Sequence, residues 1–114
     1  MSKSGALAEQ LAAQYLQSHG LKLLHSNYRC RFGEIDLILQ DGETHVFAEV
    51  RLRSNAAFGG AAASIDARKQ AKLLKTAQFY LSGFKRMPPC RFDAVLMQST
   101  DLKQIEWVKS AFTA

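Results

Sequence analysis

Two short stretches of this 114-residue chain hold the residue types that phosphoryl or metal chemistry needs. Glu34 and Asp36 stand in one alternating run, and Glu49 and Arg51 in a second. Between them lies Asp41-Gly42, a strong two-residue hairpin signal. If those two residues form the loop, Gln40 faces Glu43, Glu34 lies opposite Glu49, and Asp36 opposite Phe47. Cross-strand partners point to one face, so Glu34, Asp36, Glu49 and Arg51 share a side of the sheet. Asp36 and Glu49 then become diagonal neighbours, about 7–8 Å apart at Cα, a separation two carboxylates can close onto one ion. Three acids on one face repel, and two arrangements answer that. One is a solvated polar face with Arg51 bridging Glu49 or Glu34, since exposed antiparallel faces are commonly charged. The other is a divalent cation, which the apolar company of Ile38 and Phe47 favours, because buried unpaired carboxylates are costly.

These strands need elements to hold them. Leu7, Ala8, Leu11, Ala12, Tyr15 and Leu16 form one apolar helical stripe across residues 5–19, with Ser4 as cap and Gly20 as stop. Glu9 sits beside that stripe, either as a boundary residue or aimed at the acidic face. His19 suits the end of the helix. Residues 21–29 read as a short strand containing His25. In residues 34–39, Ile35, Leu37 and Leu39 take one face and Glu34, Asp36 and Ile38 the other. In residues 44–52, Val46, Ala48, Val50 and Leu52 oppose His45, Phe47, Glu49 and Arg51, with His45 close to the turn. The Gly/Ala-rich run 54–63 has no charge and no periodicity, so it is expected to be a mobile loop. A second helix follows, capped by Ser64 with Asp66 in its first turn, burying Leu73, Leu74, Ala77, Tyr80 and Leu81 and ended by Gly83. Strands over 91–97 and about 104–109 close the chain, with Trp107 and Phe112 as core. The order is α-β-β-β-α-β-β in a single domain spanning 1–114, an α+β fold or mixed α/β sandwich with helices packed on a small sheet.

Charge is lopsided. The chain carries 15 basic and 10 acidic side chains, a net +5. Residues 1–57 balance six against six, and residues 58–114 hold nine basic and four acidic. A basic half favours a polyanion partner. Arg68, Lys72 and Lys75 form a helical stripe with Lys69 adjacent, either a solvated face or a surface that tracks phosphates. Lys85, Arg86 and Arg91 add charge nearby in sequence. No apolar run is long enough for a membrane helix, and the N-terminal residues lack the apolar core of a secretory signal. Cys30 and Cys90 are isolated, with no zinc or disulfide spacing, and suit buried or idle thiols in a reducing cytoplasm.

The strings GEIDLI (Gly33–Ile38) and FAEVRLR (Phe47–Arg53) resemble the YraN-like family of uncharacterised bacterial proteins. GALAEQLAAQYL in the first helix, Asn27, RFDAV (Arg91–Val95) and Ala111-Phe112 extend the resemblance over about residues 5 to 112. That family is similar to the PD-(D/E)xK, restriction-endonuclease-like and resolvase-like nucleases, whose core order is αβββαβ. The resemblance implies a metal-dependent endonuclease acting on DNA rather than RNA, including branched or structured DNA, often as a homodimer. It makes Asp36 and Glu49 ligands of Mg²⁺ or Mn²⁺, with the Val50 carbonyl and Glu9 as further donors and Glu34 and Gln70 in support. Such oxygen ligands suit Mg²⁺, which can activate water and stabilise charge on phosphoryl oxygens. Where the E-x-K motif has lysine, this chain has Arg51. Arginine stays protonated, so it cannot act as a base, but it can clamp a phosphate and stabilise developing charge. Lys69 or Lys72 can stand in for the motif lysine, and Arg53, Arg68 and Lys75 complete the nucleic-acid-binding set. The competing expectation is a catalytically inactive nucleic-acid-binding or adaptor protein on the same fold. A weaker third is a protein-interaction module with an incidental basic helix.

Overall fold

A computed structural model describes residues 3–52, 65–97 and 105–112. Helix α1 (Lys3–Ser18) leads into strands β1 (Lys22–Cys30), β2 (Gly33–Asp41) and β3 (Thr44–Leu52). Helix α2 (Ala67–Leu81) follows, then β4 (Cys90–Met97) and β5 (Ile105–Phe112), which is the expected α-β-β-β-α-β-β order. The strands form one sheet in the order β1-β2-β3-β4-β5. All neighbours run antiparallel except β3 and β4, which are parallel and joined through α2. A parallel pair needs such a crossover, because a tight turn cannot reverse the chain twice.

The sheet is covered on both sides. Ala8, Ala12, Ala13 and Leu16 of α1 pack on Leu37, Leu39, Val46, Ala48, Val95 and Met97. On the opposite face, Leu73, Ala77 and Leu81 of α2 pack with Ile35, Ile38, Phe47, Phe92, Ala94 and Leu96. Val46, Phe47 and Ala48 of central β3 are therefore all buried, as expected for a strand with helices above and below. Among the described residues no helix is long and apolar enough to cross a membrane.

Several local expectations are corrected. Leu7 is exposed, and the buried face of α1 instead includes Ala13, whose small side chain lets the helix lie close to the sheet. Gly20, with φ +95°, stops the helix as expected, and His19 Nδ1 lies 2.8 Å from the Tyr15 carbonyl oxygen. The hairpin loop is Gly42-Glu43, with Asp41 opposite Thr44 and Gln40 opposite His45. Gly42 takes φ +61°, and the turn needs glycine at its first central position rather than its second. The register therefore moves by two residues and each side chain keeps its face. Ile35 is the exception, since it packs with Ile38 and not with Leu37. The alternation breaks at Asp36, opposite Asn27 on β1, which sits at φ +53°, a region asparagine tolerates better than most residues.

Helix α2 begins at an Asp66 cap, whose carboxylate accepts the Lys69 N–H at 2.8 Å. Ser64, Arg53 and the run 54–63 lie outside the described residues. The helix ends at a Ser82 cap, just before Gly83. Asp93 is fully buried and ties the far side of the sheet together. It accepts from Arg91 Nε, Trp107 Nε1 and the Ser110 N–H, while Arg91 also reaches Asp41 at 3.0 Å. Arg91 is thus an internal tie instead of part of a basic surface. Cys30 is half-buried and Cys90 exposed, both as free thiols.

Candidate functional site

The β2–β3 ladder runs from Asp41 opposite Thr44 down to Leu37 opposite Ala48. The next opposed pair is Asp36 and Glu49, and there side chains replace the backbone ladder. The Val50 N–H donates to Asp36 Oδ2 at 2.9 Å, and the Asp36 N–H points at Glu49 Oε2 at 3.4 Å. Beyond this point β3 keeps pairing with β4 as far as Leu52 opposite Met97. The two carboxylates therefore face each other across the strands, closer than the diagonal relation the hairpin signal predicts.

Their electrostatics follow from burial. Glu49 is 3% exposed, and burial, reinforced by the negative charge of Asp36, pushes its carboxyl up to about 7. Burial also raises Asp36, against the Val50 hydrogen bond and the cations Lys69 and Arg51, which favour its ionised form. One cation makes direct contact: Lys69 Nζ lies 3.2 Å from Glu49 Oε1. Its backbone is held by the Asp66 cap, and the adjacent Gln70 amide donates to the Ile65 carbonyl at 2.8 Å. Gln70 thus steadies the start of α2 and does not touch the acids.

Glu9 is 8% exposed on the α1 side, with Oε1 buried and without a hydrogen-bond partner among the described residues. Burial and then the charge of Asp36 raise its carboxyl, while a hydrogen bond with Asn27 lowers it. Among the described residues no three His, Cys, Asp or Glu side chains gather closely enough to hold a metal ion. The donor set on view is the Asp36–Glu49 pair, with Glu9 set apart. Glu34 is exposed and pairs with Arg29 at 3.1 Å.

Arg51 does not bridge Glu49 or Glu34, because Lys69 already pairs with one and Arg29 with the other. Its Nε is buried and without a partner among the described residues. Arg51 instead lines a cleft of about 220 Å³ with Asp66, Arg68, Lys69 and Lys72. Lys75 is exposed further along α2. Neither histidine of the sheet joins the acids. His45 packs against Tyr80 and Phe84, and burial lowers its pKa; His25 packs against Tyr28 and Tyr80.

Sequence reasoning missed Arg29, which lines a second cleft of about 400 Å³ with Cys30, Gly33, Glu34, Lys69, Lys72 and Leu73. It also gave Asn27 no contact with Glu9. No local pattern signals either, because each contact joins elements distant in sequence.

The model of the uncharacterised protein family UPF0102, the YraN-like family, matches residues 8–97. A UPF0102 protein of Nitrosomonas europaea is 56% identical over 108 residues, covering 95% of this chain and 92% of that protein. One of Methylobacillus flagellatus is 53% identical over the full length of both. One of Stutzerimonas stutzeri is 48% identical over 112 residues, 96% of this chain and 93% of the relative. With matches of this extent, the chain belongs to family UPF0102.

Proposed function

We propose that this protein is a metal-dependent nuclease that hydrolyses phosphodiester bonds in DNA. The observation that carries this reading is the opposed pair of carboxylates, half-buried Asp36 and buried Glu49, with Lys69 on Glu49 and Arg51 lining the adjoining cleft. Two desolvated acids side by side are costly unless a cation joins them, and their all-oxygen donor set suits Mg²⁺ or Mn²⁺. Asp36, Glu49 and the Val50 carbonyl would hold the ion, with Glu9, whose carboxyl feels the charge of Asp36, as a further carboxylate. When bound, it would supply an activated water and offset charge on the phosphoryl oxygens.

The protein's own groups do the rest. Arg51, always protonated, lines the cleft, where its guanidinium charge stabilises the charge that develops on a phosphate oxygen. Lys69 supplies the second fixed cation, in the role the motif lysine has in similar nucleases. Lys72 and Arg68 extend the positive surface along the strand. In the reaction, an oxygen of water forms a bond to phosphorus as one P–O ester bond breaks. One proton of that water goes to the leaving sugar oxygen and the other to solvent. The two free thiols suit the reducing cytoplasm.

A second reading, a non-catalytic DNA-binding protein, is favoured by one specific contact. Lys69 Nζ already sets a positive charge 3.2 Å from Glu49 Oε1. Calorimetric titration with Mn²⁺ separates the two. Saturable binding that Asp36→Asn/Glu49→Gln abolishes, with metal-dependent cleavage of a DNA oligonucleotide, supports the nuclease. Salt-dependent DNA affinity with no metal uptake supports the binder.

A further inference from the structure

Two phenylalanines stand exposed in contact with each other. Phe32, in the turn between β1 and β2, is 37% exposed, and Phe79 of α2 is 43% exposed. Their ring centroids are 5.8 Å apart. The Arg31 guanidinium lies 4.9 Å from the Phe32 centroid. This turn is pressed onto α2: Gly33 has φ +147°, and a Cβ there would meet Thr76 Oγ1 at 3.1 Å. The backbone next to Phe32 is thus seated on α2.

Lys69, Lys72, Thr76 and Phe79 recur every three or four residues and so occupy one stripe of α2. At 1.5 Å per residue, Phe79 lies about 15 Å along the helix from the lysine that touches Glu49. The 400 Å³ cleft, with Lys72, Arg29 and the Glu34 that pairs with Arg29 on its walls, lies along that stripe. A protein partner is the poorer fit to this surface, because the cores of protein interfaces are depleted in lysine. Aromatic faces interleaved with cations are instead what an unpaired base and its phosphate require. A base inside a duplex has its faces covered by its neighbours.

We infer that Phe32 and Phe79 form a stacking platform for an unpaired base of DNA, whose backbone runs along Lys72 and Lys69 toward Asp36 and Glu49. This rests on the reading of the site as a DNA nuclease and specifies its substrate as single-stranded or locally unpaired DNA.

The test is fluorescence anisotropy in EDTA with a labelled single-stranded DNA oligonucleotide and the matching blunt duplex. The proteins are the unmodified chain, Phe32→Ala/Phe79→Ala, and Phe79→Trp. The double alanine variant is expected to bind the single strand about tenfold more weakly, with duplex affinity unchanged and Phe79→Trp at full affinity. A 2-aminopurine base in the single strand should be quenched by the unmodified protein and not by the alanine variant. Matching circular dichroism and thermal midpoints exclude a folding effect. Equal losses on both DNAs, or none, overturn the platform alone while DNA binding stands. If the unmodified protein binds neither DNA, in EDTA or with Ca²⁺ in its place, the nuclease reading falls and the platform falls with it.

Discussion

Glu49→Gln should change how stability responds to pH, and the size of the change follows from burial. The Glu49 carboxyl titrates at about 7 in the folded chain, against an ordinary 4.5. Between those values the folded chain holds a proton that the unfolded chain has released. Stability therefore falls as pH rises through this window. At about 1.4 kcal/mol per pH unit, the fall approaches about 3 kcal/mol once Glu49 is fully ionised, and most of it accrues between about pH 5 and pH 8. Asp36, also raised, acts in the same direction. His45, whose pKa burial lowers, acts in the opposite direction: the unfolded chain binds its proton first, so its share of stability grows with pH up to about 6.5. Glutamine keeps the shape and removes the Glu49 titration, together with the charge that Asp36 and Glu49 present to each other. It also leaves Lys69 without its ion pair, a loss already contained in the Glu49 titration, because the pair exists only where Glu49 is ionised.

The assay is urea unfolding in EDTA across that range, and the quantity of interest is the stability of Glu49→Gln minus that of the unmodified protein. This difference should move in favour of the glutamine variant by about 2–3 kcal/mol from pH 5 to pH 8. Added Mn²⁺ should shrink the change, because the ion favours the ionised carboxylates. A difference that stays constant with pH would refute the reasoning, since Glu49 would then titrate alike in both states.

Three other substitutions test the frame around the site. Asp93→Asn should destabilise the chain by about 3 kcal/mol in urea unfolding, because the half-buried Arg91 guanidinium loses its fully buried counter-charge and keeps only the more exposed Asp41; a loss under about 1 kcal/mol would count against the tie. Gly33→Ala should cost more than about 1 kcal/mol, from φ +147° and from the contact with Thr76. Thr76→Ala in the same chain should recover only the contact part of that loss. Asp66→Ala should cost about 1 kcal/mol through the missing cap, with Asp66→Asn close to neutral.

Element types and order were legible because apolar spacing differs between helix and strand, and α1, α2 and the alternating strands carry it plainly. The acidic pair was legible for a related reason: a register error of two residues leaves every side chain on its original face. The register itself depends on which turn position takes positive φ, and Asp41-Gly42 suggests one placement while Gly42 adopts the other. The face of Ile35 escaped because periodicity assumes regular backbone, and the irregularity at Asn27 and Asp36 reverses it. Ser64 and Asp66 both have capping chemistry, and sequence alone does not rank them. The pairing of Glu49 with Lys69 depends on how α2 docks against β3. Arg51 looked the nearer partner only because it shares the strand.

That dependence on docking has a testable consequence. A lysine in the motif position would be aimed by the pleat of β3 itself. Here the cation on Glu49 arrives from another element, so its distance from the acid is set by where α2 rests on the sheet. Gly33 and Thr76 form one of the contacts that fix this seat, two helical turns from Lys69. A methyl group at Gly33 pushes α2 outward and draws Lys69 back from Glu49. Lys69 lowers the Glu49 pKa through both its charge and its hydrogen bond, so weakening it must raise that pKa further. In Gly33→Ala the pH window over which Glu49→Gln gains stability should extend to higher pH than in the unmodified chain, read by the same urea difference profile. A window that ends where it does in the unmodified chain would show that the long lysine side chain follows its partner. The seat of α2 would then not set the charge balance of the site.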